Sequence, residues 1–222
     1  MSESIAKPLR IVLLGPPASG KGTQGRRLAA DLGLGYLSTG ALLREQVEAG
    51  TPLGKLAQPI LARGEYLPDD LMYRILADWL SRQTGGWVLD GFPRSVPQAE
   101  FLDRLLAERE WKLDAAISLE APFEELLMRV RSRVECPECR WSGQTDQANE
   151  GNQCPACPSL VVPRADDTEE NFSNRYQEFQ RLTRPVVDYY QNLKRLVPCD
   201  ATAPQDVVTE KLLAHFIPKP GV

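Results

Sequence analysis

Ile11-Val-Leu-Leu-Gly-Pro-Pro-Ala-Ser-Gly-Lys-Gly-Thr23 decides the fold. Residues 9–14 form an apolar run that reads as a buried strand, and Gly15 breaks it. A glycine-bearing loop follows. Lys21 then opens a segment in which Leu28, Ala29 and Leu32 recur at helical spacing. Strand, loop and helix in that order are the setting of a phosphate-binding P-loop. Gly15 and Gly20 permit backbone angles that a side chain forbids. Successive N–H groups can then turn inward onto phosphate oxygens. The helix presents its positive end to the same anion, and Lys21 adds a mobile cation. The usual pattern places Ser or Thr directly after the lysine. Here Gly22 intervenes and the hydroxyl is Thr23, which can meet phosphate or a metal-bound water. A glycine-rich turn that binds nothing is the competing account, and the flanking strand and helix speak against it.

Downstream, residues 36–38, 87–90, 115–119 and 195–199 read as further short strands. Between them lie helical stretches. Two short ones start at Thr39 and Leu53, with Gly50 and Gly64 as stops. Longer ones cover 68–80, 97–108 and 122–133. Asp167-Thr-Glu-Glu170 resembles a capping box and should open one long helix towards Gln191, and 205–216 a last one. Strands alternating with helices imply an α/β fold: a doubly wound, parallel, five-stranded sheet with helices on both faces. The chain shows no internal repeat and no low-complexity tail.

The chain has 222 residues, 42% hydrophobic and 25% charged, the composition of an ordinary globular protein able to bury a full core. Its net charge of −4 argues against a dedicated nucleic-acid surface. No apolar run approaches a membrane span, and the first residues lack a secretory core. A cytoplasmic protein is expected. In that compartment five cysteines are metal ligands or free thiols rather than disulfides.

Four of those cysteines form two pairs, Cys136-Pro-Glu-Cys139 and Cys154-Pro-Ala-Cys157, with fourteen residues between them. Residues 134–163 are rich in Cys, Pro, Gly, Asn and Gln and poor in aliphatics, the mark of an inserted module. Four thiolates close a tetrahedral zinc site and leave no position open for catalysis. A stretch with so little apolar surface cannot fold on hydrophobic burial alone; metal binding would supply the energy. Four reduced, unligated thiols are the alternative, disfavoured by the spacing. Cys199 reads as a buried thiol, and His215, the one histidine, as an ordinary helix residue.

Asp90-Gly-Phe-Pro-Arg94 follows the third strand. Ligands gather at the carboxyl ends of strands in such sheets, so Asp90 should face the P-loop and could hold Mg²⁺ through water. Arg129 and Arg133, four apart, should share a helix face beside the insert. Arg164 lies at its far edge and Arg175 in the next helix. Phosphoryl transfer leaves little covalent work for a protein and needs charge stabilisation of the moving group. Converging arginines supply that, and an insert that closes would exclude water. No Ser/His/Asp or Cys/His triad is visible.

Taken together, Gly15 to Thr23, Ser38-Thr-Gly40 with Arg44, Asp90 to Arg94 with Gln98, Arg129 with Arg133, and Arg164-Ala-Asp-Asp167 with Arg175 resemble the adenylate kinase family. The resemblance spans about residues 9–216, and the insert resembles the long zinc-bearing lid of some bacterial members. It implies three parts: a core of 1–37, 68–133 and 168–222, an AMP-binding flap of 38–67 and a lid of 134–167. It also implies Mg²⁺-dependent transfer of the γ-phosphoryl group of ATP to AMP, giving ADP. By that resemblance Ala18, Ser19, Gly20, Lys21, Gly22 and Thr23 would wrap the ATP phosphates. Thr39, Arg44, Gly91, Phe92, Pro93, Arg94 and Gln98 would hold AMP, with Glu65, Tyr66 and Leu67 lining its pocket through their backbone. Arg129 and Arg133 would meet ATP, Arg164 and Arg175 would clamp from the lid side, and Ala203 would lie by the ATP base. Lys21, Arg94, Arg133, Arg164 and Arg175 would serve catalysis, and the protein would be a monomer. The chain departs from the family pattern at Ala41, where Asp is common, at Val134, where a second arginine is common, and at Ala201, where glycine is common.

Two rivals stay open from sequence. One is a nucleoside monophosphate kinase of UMP/CMP type, against which the long insert, Thr39 and Gln98 speak. The other is a non-enzymatic zinc-ribbon protein. Net acidity and the single basic residue between the cysteine pairs, Arg140, disfavour it.

Overall fold

Side chains alternate across a strand, and in the first strand both faces are apolar. In the computed structural model, which describes residues 8–164 and 166–217, β1 (Arg10–Leu14) is buried along its whole length. Ile11 and Leu13 join one apolar cluster, Val12 and Leu14 another. A strand buried on both sides belongs inside a sheet covered by helices on each face.

The chain continues through α1 (Lys21–Leu32), β2 (Gly35–Ser38), α2 (Thr39–Glu48), α3 (Pro52–Ala62), α4 (Asp69–Ser81), β3 (Trp87–Asp90), α5 (Val96–Ala107), β4 (Ala115–Glu120) and α6 (Phe123–Arg131). Three short strands follow, β5 (Arg133–Glu135), β6 (Ser142–Gln144) and β7 (Val162–Pro163). The chain then runs through α7 (Glu169–Glu178), α8 (Arg184–Asn192), β8 (Leu196–Asp200) and α9 (Gln205–Phe216). The main sheet has the order β2-β3-β1-β4-β8 with every pairing parallel. Leu28 and Ala29 of α1 and Val208 and Leu212 of α9 cover the Ile11/Leu13 face. Leu76, Leu80, Leu102, Leu106, Val186 and Tyr190 from α4, α5 and α8 cover the other. This is the expected doubly wound α/β architecture. Among the described residues no helix is long and apolar enough to cross a membrane.

The helical pair α2–α3 is an extension of that second cluster: Leu43, Ala57 and Leu67 belong to it. The pair crosses closely at Gly54, where an added Cβ would sit 1.9 Å from the carbonyl oxygen of Gln46. The cysteine-bearing insert is different. It forms an antiparallel sheet of order β6-β5-β7 over a small cluster of its own, Val134, Cys136, Cys154 and Val161. Phe123 of α6 packs on Phe172 and Tyr176 of α7, with ring centroids 5.3 and 4.9 Å away. These contacts pin the helices through which the chain enters and leaves the insert.

Three local expectations change. The helix expected over 122–133 ends at Arg131. The Ser132 hydroxyl donates back to Met128 O (3.1 Å), while the Ser132 carbonyl accepts from Thr145 N (2.9 Å). The chain has turned into the small sheet, so Arg133 sits on β5 and does not share a helix with Arg129. The cap of α7 is Thr168, which accepts from Asn171 N at 3.1 Å, because Asp167 is engaged by Arg133. The long helix expected up to Gln191 is split by a π-turn over Phe179–Thr183. Pro185 has no N–H for the carbonyl four residues back, and the turn widens, with Arg184 N reaching Phe179 O instead.

Candidate active site

The loop after β1 turns on strained or glycine-only angles: φ is 140° at Gly15, 63° at Ala18 and 91° at Gly20. A Cβ at Gly15 would lie 2.5 Å from Leu119 O and 2.8 Å from Ser19 Oγ, so glycine lets the loop lie against β4. Gly20 caps α1 without a side-chain bond, and the first turn of α1 carries no acidic residue. Its N–H groups therefore point at the cleft with no built-in anion. Lys21 Nζ donates to Gly15 O (2.8 Å) and Pro16 O (2.7 Å). Burial lowers its pKa to about 8; Asp90 opposes this, and Arg94 and Arg133 add to it.

Parallel pairing sets Ser38 beside Asp90 at the carboxyl edge of the sheet. Asp90 Oδ2 accepts from Tyr36 OH (3.2 Å) and Ser38 Oγ (3.1 Å). Burial and the Asp90 charge push the Tyr36 phenol far upward, so it stays a donor. The carboxylate thus stands fixed beside the P-loop, close enough to raise the lysine's pKa, which is where sequence reasoning put it.

On the α2–α3 side, Thr39, Glu65, Tyr66, Leu67, Gly91, Arg94 and Gln98 line one small pocket of about 20 Å³. Gly91 has φ 84°, and a Cβ there would meet Thr39 Oγ1 at 2.4 Å. Arg94 Nε donates to Gly91 O (2.7 Å), and its guanidinium lies over the Tyr66 ring at 4.2 Å. The Gln98 amide accepts from Arg94 N (2.8 Å) and donates to Asp69 Oδ1 (2.7 Å). Glu65 turns its carboxylate outward to Arg63. Phe92 is fully buried in the main core; its side chain lines neither pocket, while Pro93 does reach the main cleft.

That main cleft, about 890 Å³, brings together Lys21, Arg44, Arg94, Arg129, Arg133, Arg164 and Arg175. Ala18 to Thr23 and Ala203 line it too. Two aspartates absent from the candidate list organise the arginines. Asp167 is bidentate to Arg133. Asp166 accepts from Arg164 (2.6 and 3.1 Å) and Arg175 (2.7 Å). Burial of Asp166 disfavours its charge, but Arg164 and Arg175 outweigh it and hold the carboxyl well below the usual range. Arg44 is held down to about 10, first by burial, then by Arg164, so it faces the same cluster from α2. Arg129 donates to Ala201 O (2.6 Å) and pairs with Glu125. The Arg-Ala-Asp-Asp alternation at 164–167 was the available signal for both aspartates.

The four paired cysteines converge. Their sulfurs all lie within 4.8 Å of one another, with Cys136 to Cys157 and Cys139 to Cys154 at 3.5 Å. None is in a disulfide. A tetrahedral Zn–S₄ site with bonds near 2.3 Å needs sulfurs about 3.8 Å apart, so the donor set fits a metal ion of that kind. Cys199 is buried far along the chain at the end of β8.

Comparison with known proteins agrees with this geometry. The family profile described as Adenylate kinase matches residues 13–195. The adenylate kinase of Finegoldia magna is 37% identical over 212 residues, 94% of this chain and 99% of that protein. That of Clostridium perfringens is 38% identical over 210 residues, 92% and 96% of the two chains. That of Kosmotoga olearia is 38% identical over 212 residues, 94% and 99%.

Proposed function

The chain belongs to the adenylate kinase family, and from that premise we propose how its own residues carry out reversible phosphoryl transfer from ATP to AMP. The core comprises 1–37, 68–133 and 168–222; α2–α3, within 38–67, is the AMP-binding flap; 134–167 is the lid. ATP lies along the P-loop. Ala18 to Thr23 and the open end of α1 hold its phosphates, and Lys21 leaves the loop carbonyls for the β/γ oxygens. Arg129 and the loop through Ala203 flank its base. AMP enters from the flap, its phosphate on Arg44 and Arg94 and its base between Thr39, the 65–67 backbone and Gln98.

Arg133, Arg164 and Arg175 enclose the phosphoryl group in flight and stabilise its charge. The aspartates hold these arginines ready: Asp167 for Arg133, Asp166 for the other two. Asp90, fixed by Tyr36 and Ser38, would hold Mg²⁺ through water, and the ion would supply positive charge at the phosphate oxygens. The four cysteines would hold a structural Zn²⁺ that shapes the lid. The protein acts as a cytoplasmic monomer on small nucleotides, without nucleic acid or membrane.

One observation carries this reading. Ten cationic side chains from core, flap and lid, Lys21, Arg44, Arg94, Arg133, Arg164 and Arg175 among them, line a single cleft beside a P-loop. The test is an acceptor panel with ATP and Mg²⁺. AMP should be phosphorylated fastest; a faster rate with UMP or CMP would overturn the assignment of the acceptor.

A further inference from the structure

Arg140 stands directly after Cys139, and its backbone lies in the left-handed region at φ 62°. A residue with a Cβ is disfavoured there, where glycine is at ease. Its N–H donates to Cys136 O at 3.1 Å, closing the turn that aims the first cysteine pair. The metal-binding turn therefore imposes the strained angle and sets the direction in which the side chain leaves.

That side chain crosses to the flap. Arg140 Nη1 and Nη2 donate to the two carboxylate oxygens of Glu48 at 3.2 and 2.6 Å, the forked geometry that gives direction as well as attraction. Glu48 is the last residue of α2. The two side chains are 49% and 53% exposed, and such pairs contribute little to folding. The pair joins two segments that also face each other through mixed charges. Burial first and then the charge of Arg164 lower the Arg44 pKa, Arg175 adds to this, and Asp166 and Glu135 oppose it, so the facing charges set no single direction of their own. An attractive contact on the rim of the same cleft biases those segments towards each other.

We infer that Arg140 and Glu48 are positioning residues for the phosphoryl transfer, latching the lid to the flap across the mouth of the cleft. They touch no reacting atom and act by keeping the two segments apposed around both nucleotides. The inference rests on the two-nucleotide reading of the cleft.

The test compares the parent protein with Arg140→Gly, Glu48→Gln and the charge swap Glu48→Arg/Arg140→Glu. Four quantities are read: affinity for a bisubstrate analogue of two adenosines joined by a polyphosphate, KM and kcat, thermal midpoint, and zinc per chain. Each single variant should bind the analogue roughly 2–5-fold more weakly, the range of an exposed ion pair. KM should rise for both nucleotides with kcat equal or higher, since opening commonly limits turnover. Zinc content should hold, and the midpoint of Arg140→Gly should not fall, because glycine relieves the strained angle. The swap should restore affinity to within about twofold. Unchanged affinity in the single variants would overturn the latch. So would a swap as weak as either single variant, which would put Arg140 on the phosphates instead. A loss of affinity that merely tracks lost zinc and a lower midpoint in both single variants would make the residues structural. A parent that fails to bind the analogue overturns the two-nucleotide reading itself, a separate result.

Discussion

The flap and the lid border the same cleft, yet different forces hold them. Leu43, Ala57 and Leu67 of the flap segment belong to the apolar cluster that also contains Leu89 and Leu102 of the core. The lid's own apolar cluster holds four buried residues, two of them cysteines, and the lid is tied to its surroundings by ion pairs such as Arg133 with Asp167 and Arg140 with Glu48. Apolar contact is non-directional and merges the flap with the fold behind it. Thiolates and forked ion pairs are directional and can be released as a unit. This contrast predicts that the lid folds as a separate unit and that the flap folds with the core.

The largest effect that tests this contrast is expected on removing the zinc ion proposed to sit among the four cysteines. Structural zinc supplies roughly 10–16 kcal/mol in small zinc domains at neutral pH, far more than the lid's apolar cluster could. A chelator should therefore raise amide exchange across 133–164 and abolish kinase turnover, while the five-stranded sheet keeps its protection. Hydrogen exchange read by mass spectrometry checks it. Simultaneous loss of protection in β1 and β3 would show that lid and core fold as one.

This contrast also decided what the sequence revealed. The sheet was legible because its inner strands, β1, β3 and β4, are buried almost throughout and read as largely apolar runs; residues 87–90 match β3 to the residue. The P-loop was legible because Gly15 and Gly20 answer to backbone geometry alone. The strands of the lid were not legible. Two or three residues each, with few aliphatics, they exist through cross-strand pairing and the convergence of four distant cysteines rather than through any pattern of their own. Arg133 was placed on a helix because nothing local announces that Ser132 is its last turn; the partner that ends it, Thr145, lies beyond the first cysteine pair. The arginines could be picked out as candidates; Asp166 and Asp167 stood beside Arg164 in the run 164–167, but their pairing with Arg175 and Arg133 leaves no periodicity to read.

A smaller effect probes the flap. Leu43 is 4% exposed, and truncating a buried leucine costs about 2–5 kcal/mol. Leu43→Ala should lower the thermal midpoint of the whole protein, by roughly 2–4 °C per kcal/mol for a chain of this size, and leave zinc content unchanged. Calorimetry should show one transition moving as a body. A midpoint equal to the parent's, with only AMP affinity reduced, would make the flap a separate unit like the lid and remove the contrast.

The smallest effect lies at Lys21, in the cleft that both regions border. Its ammonium belongs to the core's loop yet is burdened by Arg94 after β3 and by Arg133, where the core passes into the lid. Burial is the leading cause that takes its pKa from 10.5 down to about 8. Between those two values the unfolded chain keeps a proton that the folded one has released, so this group's contribution to stability rises with pH across that window. Below about 8 both forms are charged and the contribution is flat. Function runs the other way. Transfer needs the cation, so kcat/KM should fall above pH 8, approaching tenfold per unit, or about 1.4 kcal/mol. Stability and activity should therefore diverge over the same alkaline range. In Lys21→Arg, whose side chain keeps its charge throughout, the alkaline fall should vanish whatever the residual rate. A parent profile that stays level to pH 10 would mean that neither the core's burial nor the lid's arginine weighs on this lysine. The cleft would then lose its claim to be the place where the core and the entry to the lid act on one charge.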